Sequence, residues 1–305
     1  MRRIAILFIM IMIVLCLLMS CKLNAPKAKE KPLIITTIYP YELLVRELTD
    51  TLFTVETLLP ANASPHTWSP APQDIVKLQK ADVIIANGLG LETNLEKTLA
   101  KTGTKLITVS DYIKKDKLIY QHKDDEHAAE NADEQKYEGA NPHIWTSPEL
   151  LTDIVIELSE ELSRRFPMHK TALERNARQI IMELFQSESK IRSERNEYEN
   201  PAVITLHDAF VYFLQYFDIE HIGSVQPSAG KDPAPQQLKE LADKIKSKGI
   251  KAIFIEPQMN PRPAEVLSEE MGLKVLQYDD LGTVLGAETI ADYLCKNWEA
   301  IKAGL

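Results

Sequence analysis

Ser64-Pro65-His66-Thr67-Trp68-Ser69-Pro70-Ala71-Pro72-Gln73-Asp74 is the stretch on which the architecture turns. Ahead of it, residues 53–58 have the pattern of a strand, closed by Pro60; behind it, Ile75 and Leu78 open a helix that runs to residue 81. The stretch is therefore the loop of a strand–loop–helix unit. Pro65 lacks a backbone donor and has a fixed φ, so His66 stands on a stiff, non-helical approach. An echo follows at Asn141-Pro142-His143-Ile144-Trp145-Thr146-Ser147-Pro148, again Pro-His-x-Trp and then Ser-Pro. There Ser147 is the expected N-cap and Pro148 the first helical residue. Rigid loops that each present an imidazole ahead of a helix point to one shared site; the alternative is two ordinary loop histidines.

Working outward, residues 33–38 form a β-branched run, 41–48 a helical pattern, 82–86 a strand, 91–101 a helix after Asn87-Gly88-Leu89-Gly90, and 105–109 a strand. The second half has the same style. Strands are expected at 202–206, 221–225, 250–255 and 273–278, and helices after residue 210, around 238–245, at 263–271 and from 287 to the end. Such alternation implies parallel βα units, whose ligands gather at the carboxyl ends of the strands. Between the halves, a helical stripe from Leu173 to Ile191 lies in a helix expected over 168–196, long enough to join two lobes as a rigid strut. The fold class is α/β: two βα lobes with small parallel sheets, one long helix joining them, and a site in the cleft between. The boundaries expected are residues 32–167, 168–197 and 198–305.

Four candidate ligands then stand at or just beyond strand ends: His66 and His143 from the first half, His207 and Asp279 from the second. Three imidazoles and a carboxylate suit Zn²⁺, with Mn²⁺ or Fe²⁺ as alternatives. Asp208 reads as a helix-start charge, and His221, inside a strand-like run, as a structural histidine. The roles of Asp280 and Glu256 stay open. Residues 121–138 carry His122 and His127 among seven carboxylates and no large apolar residue before Tyr137. They read as a mobile acidic loop, either a weak collector of cations or a plain surface loop.

The chain has 305 residues and a formal charge of −9, a poor balance for nucleic acid and a suitable one for a cationic ligand. Residues 1–21 read as a targeting segment: Arg2 and Arg3, an apolar run from Ile4 to Met19, then Ser20-Cys21. The run is shorter than the roughly 20 residues of a spanning helix. Leu18-Met19-Ser20-Cys21 resembles a bacterial lipoprotein signal, in which Cys21 is lipidated after cleavage; the alternative is an uncleaved anchor. Residues 22–31 read as a tether. With Cys16 in the leader and Cys21 carrying lipid, Cys295 has no partner for a disulfide.

Taken together, the two Pro-His-x-Trp motifs, Asn87-Gly88-Leu89-Gly90-Leu91-Glu92, Leu206-His207-Asp208-Ala209-Phe210, Phe254-Ile255-Glu256-Pro257-Gln258 and Tyr278-Asp279-Asp280-Leu281-Gly282 are specific. On them the chain resembles the metal-binding solute receptors of ABC importers, the zinc- and manganese-uptake group, over nearly all of its mature length. The resemblance implies a monomeric, non-enzymatic receptor, exported and lipid-anchored on the outer side of the cytoplasmic membrane or in the periplasm. It would deliver metal to an ABC permease. The resemblance also assigns His66, His143, His207 and Asp279 as ligands, the last by register to Leu281-Gly282. A histidine at the third position favours zinc over manganese. Asn141 stands where the family commonly has Asp, and Asp280 where Pro is usual. The rival classes are a secreted metallohydrolase and a surface adhesin. The former needs an open metal position and a general base, and Glu256 is the only strand-end carboxylate left for it.

Overall fold

The computed structural model describes residues 31–120, 139–226 and 234–305. The targeting segment with Cys21, the tether up to residue 30, and the acidic segment with His122 and His127 lie outside the described residues. Among the described residues no helix is long and apolar enough to cross a membrane.

All eight expected strands are present. The first sheet is built from β1 (Leu33–Thr36), β2 (Thr54–Thr57), β3 (Val83–Ala86) and β4 (Leu106–Thr108), in the order β2-β1-β3-β4. The second repeats the order with β5 (Ala202–Thr205), β6 (Glu220–Ser224), β7 (Ala252–Ile255) and β8 (Lys274–Gln277), as β6-β5-β7-β8. Every pairing is parallel. Covered on both faces, the central strands read as unbroken apolar runs, and this made them legible. Ile34, Val83 and Ile85 face one core, while their neighbours Ile35, Ile84 and Ala86 face another with Leu78 and Leu99. That is the two-residue alternation of a pleated strand.

The helices are α1 (Tyr39–Thr49), α2 (Pro72–Lys80), α3 (Glu96–Leu99), α4 (Pro148–Arg165), α5 (Lys170–Arg195), α6 (Val211–Tyr216), α7 (Pro235–Lys248), α8 (Arg262–Met271) and α9 (Ile290–Lys302). Most match expectation to within three residues, and two departures bear on the architecture. The helix foreseen at 91–101 shrinks to the single turn of α3. Glu92 is instead drawn into the interior, where its carboxylate accepts from the backbone N–H of Asn87 and Gly88 and from the Thr37 hydroxyl. Gly88 has φ +81°, and a Cβ there would collide with Ser110 Oγ, so the tight turn and its anchor come as a pair. The long helix begins later, because Pro167–His169 form a 3-10 turn before it.

α5 has 26 residues, about 39 Å at 1.5 Å per residue. Near one end Asn176 Nδ2 donates to the Leu48 carbonyl at the end of α1. Near the other, Glu194 Oε2 accepts from Trp298 Nε1 and Lys302 Nζ of α9. Its buried stripe of Leu173, Ala177, Ile180, Leu184 and Ile191 joins a core holding residues of both sheets. As expected, Ser147 caps α4: its hydroxyl accepts from Leu150 N–H at 3.3 Å, and Pro148 follows. Ser147→Ala should therefore cost about 1 kcal/mol, read as a lower midpoint in thermal unfolding of the metal-free protein.

Candidate metal centre

The site grows from the carboxyl ends of the strands and from one proline-stiffened turn. His207 lies two residues past Thr205 at the end of β5. Its neighbour strand β7, paired through Thr205 and Phe254, places Glu256 beside it in the same way. β5 and β7 are where the second sheet reverses its direction of winding, the crevice in which open α/β sheets bind ligands. His66 lies in the loop between β2 and α2. His143 departs from expectation: it follows no strand, but the isolated bridge Tyr120–Ala140 and leads into the 3-10 turn Ile144–Thr146.

Among the described residues, His66, His143 and His207 form a group whose ligand atoms lie within 4.8 Å of one another. The Nε2 of His143 is 3.0 Å from that of His66 and 3.2 Å from that of His207. Zinc–imidazole bonds of 2.0–2.1 Å put tetrahedral donors about 3.3 Å apart, so the spacing fits one small cation. His143 and His207 are nearly fully buried and His66 partly so, and their rings meet at centroid distances of 4.8–5.4 Å.

The other face of two rings is held. Asn141 Oδ1 lies 2.9 Å from His143 Nδ1 and accepts from the His143 backbone N–H as well. Because the amide oxygen can only accept, Nδ1 carries the proton and Nε2 its lone pair. Asn141 is fixed by donating from Nδ2 to the Asp208 carbonyl across the cleft. His207 Nδ1 meets Glu256 Oε1 at 2.6 Å, and Tyr278 donates its hydroxyl to the same oxygen at 2.5 Å. Glu256 is thus turned toward His207 and Tyr278.

These contacts set the charges. Burial, and then His207 nearby, pull His66 down to about 4. Burial pulls His143 well below its ordinary value too. His207 goes the other way. Burial opposes its charge, but the Glu256 carboxylate, with smaller help from Asp208 and Asp280, outweighs that and raises it to about 9. At neutral pH the group by itself is therefore two neutral imidazoles and one imidazolium, whose Nε2–H can point at the His143 lone pair. Asp280 is pushed up to about 8 by burial and by Glu256.

The structure does not bring Asp279 into the imidazole group. Its Oδ1 accepts from Leu281 N–H and Gln258 Nε2, and its Oδ2 from the N–H groups of Val284 and Leu285. The carboxylate organises the loop after β8. Thr283 in that loop donates its hydroxyl to the Ala61 carbonyl of the other lobe. Trp145, from the second Pro-His-x-Trp motif, crosses the cleft the other way and donates Nε1–H to the Asp280 carbonyl. His221 donates to or accepts from Thr205 Oγ1 at 2.8 Å and lies outside the group. Glu256 is the site residue that the sequence left unassigned. The signal for it was its place at the end of the strand that neighbours β5.

A family model described as ZnuA, zinc-uptake complex component A, periplasmic, matches residues 34–304. The chain belongs to this family. A putative metal-binding protein of Thermotoga maritima is 34% identical over 279 residues, 89% of this chain and 92% of that protein. The high-affinity zinc uptake system protein ZnuA of Bacillus subtilis is 25% identical over 259 residues, 84% of this chain and 80% of that protein. A crystal structure of ZnuA has the same fold, with a TM-score of 0.78 and 24% identity over 90% of this chain and all of that one. The two-lobed α/β architecture is therefore that of the zinc-uptake component, and the imidazole group lies where its lobes meet.

Proposed function

We propose that the protein captures a divalent transition metal, zinc foremost, outside the cytoplasm and passes it to the permease of an ABC importer. Lipid on Cys21 would keep it at the membrane. The observation that carries this reading is the convergence of three imidazoles within 4.8 Å, with His143 Nε2 at the edge length of a zinc tetrahedron from the Nε2 of both His66 and His207. His66, His143 and His207 are the imidazole donors, and Asp279 the fourth. To bind, Asp279 has to exchange at least one loop N–H for the cation, which couples occupancy to the strap that reaches Ala61. A second reading gives the fourth place to Asp280, favoured by its buried carboxyl and its electrostatic coupling to His207.

Four donors of this kind close the coordination shell, and a closed shell suits transport more than hydrolysis, which needs an open position for water. Elemental analysis of protein purified without added metal should find about one zinc per chain, retained in an excess of Mn²⁺. Stoichiometric manganese or iron under the same competition would make this a manganese or iron receptor, and absence of bound metal would remove the reading.

A further inference from the structure

We propose that Glu256 is a positioning residue of the metal site, acting through His207: clamped by Tyr278, it fixes the ring with Nδ1 protonated and the Nε2 lone pair turned into the cleft. The inference rests on the zinc reading above and concerns a residue that touches no metal itself.

The geometry is built by the sheet. Leu206 N–H donates to the Phe254 carbonyl at 2.6 Å, which continues the β5–β7 ladder one step past the strands. The next residue on β5 is His207 and the second past Phe254 is Glu256, so both side chains leave adjacent strand ends from a backbone that cannot slide. Tyr278, at the end of β8 on the other side of β7, closes the set with one hydroxyl near both Glu256 Oε1 and the His207 carbonyl. All three residues are almost completely buried.

Glu256 Oε2 is buried and has no hydrogen-bond partner among the described residues. A carboxylate kept for fold stability would not leave one oxygen bare in the interior, since an unsatisfied buried acceptor costs stability. The arrangement makes sense if the charge is there to face the imidazole. A carboxylate behind a ligating imidazole fixes the tautomer and raises the donor strength of the other nitrogen. The three rings are unequal in this respect. His143 is backed by the neutral amide of Asn141, and His207 alone among them by a carboxylate in the hydrogen bonds of the described residues. His207 is thereby the strongest donor of the set, and stronger nitrogen donation favours zinc over manganese, whose preference is for oxygen.

The test uses the full chain, with zinc and manganese as the probes. Glu256→Gln keeps an accepting oxygen for Nδ1 but removes the charge. Zinc affinity, measured by competition with a chromophoric chelator and corrected for the proton each variant's His207 gives up at the pH of measurement, should fall about 10- to 100-fold with unchanged stoichiometry, and manganese affinity should fall less. In ¹⁵N-resolved spectra of the zinc-loaded chain, the His207 Nδ1 proton should move from the far-downfield position of a carboxylate hydrogen bond toward that of a neutral one. Wild-type zinc affinity together with an unmoved His207 proton in Glu256→Gln overturns the proposal. Should Glu256→Gln fail to fold, Tyr278→Phe decides: loosening the clamp should shift the same proton and weaken zinc severalfold, and an unshifted proton overturns the proposal. Failure of the wild-type chain to bind zinc is a separate result, which refutes the zinc reading itself.

Discussion

His143→Ala should lose zinc affinity by more than the roughly 10- to 100-fold typical of a residue that only supports a ligand. His143 is the hub of the group: its Nε2 is the atom near both of the others, at 3.0 and 3.2 Å. Removing it leaves two imidazoles without the donor between them. The loop should survive, because Asn141 Oδ1 still accepts the residue 143 backbone N–H and Trp145 still donates to the Asp280 carbonyl. Isothermal titration with zinc, beside thermal melting of the metal-free protein, separates loss of the site from loss of the fold. His221→Ala is the control: that ring is bonded to Thr205, outside the group, so the variant should change stability and leave zinc affinity alone. Affinity near the wild-type value in His143→Ala would take this residue out of the site.

The second large effect is with pH. If all three imidazoles titrated near the ordinary value of about 6.5, metal and protons would compete steeply below it. The structure divides the three. His66, lowered to about 4, and His143, held well below its ordinary value by burial, come to the metal as neutral imidazoles near neutral pH. His207, raised to about 9, is protonated from about pH 5.5 to about pH 7.5 and must release its Nε2 proton to solvent before that nitrogen can hold the metal. One proton per metal means about tenfold in affinity per pH unit, so about 100-fold weaker zinc binding at pH 5.5 than at pH 7.5. Calorimetry in buffers of different ionisation enthalpy counts the protons. One released per zinc near neutral pH is the result for Asp279 as fourth donor; a count nearer two marks Asp280, which at about 8 also holds a proton there. A flat affinity over this range would sink the histidine site.

The stability of the metal-free fold follows the same groups with the signs reversed between them. His66 and His143 are neutral when folded and protonate near 6.5 when unfolded, so their contribution is lost as pH falls below about 6.5, for His66 down to about 4. His207 binds its proton more tightly when folded. Its contribution is full below about 6.5 and lost as pH rises through about 9.

Much of this molecule is local in origin, and that part was legible. The central strands were legible as apolar runs because parallel strands covered on both faces need no alternation, and the half-exposed edge strands β2, β6 and β8 by their β-branched residues and place between turns. Ser147-Pro148 gave a helix start because a cap and a fixed φ act within three residues. Pro65-His66 and Pro142-His143 gave rigid imidazoles, and His207 a strand-end one, for similarly short-range reasons. What the tertiary structure decided lies between residues far apart in the chain. Glu92 abandons a helix because Thr37, 55 positions away, and the Gly88 turn need its carboxylate inside. Asp279, expected as a ligand by register, has both oxygens taken by its own loop and by Gln258 in this structure, a result of how the backbone after β8 turns back on it. Glu256 stands 49 positions from His207 and meets it only through the β5–β7 register. Residue types and their spacing determined which atoms could hold a cation. Which nitrogen faces the cleft, and which imidazole keeps its proton, depend on burial and on a buried carboxylate, quantities that exist only once the sheets have formed.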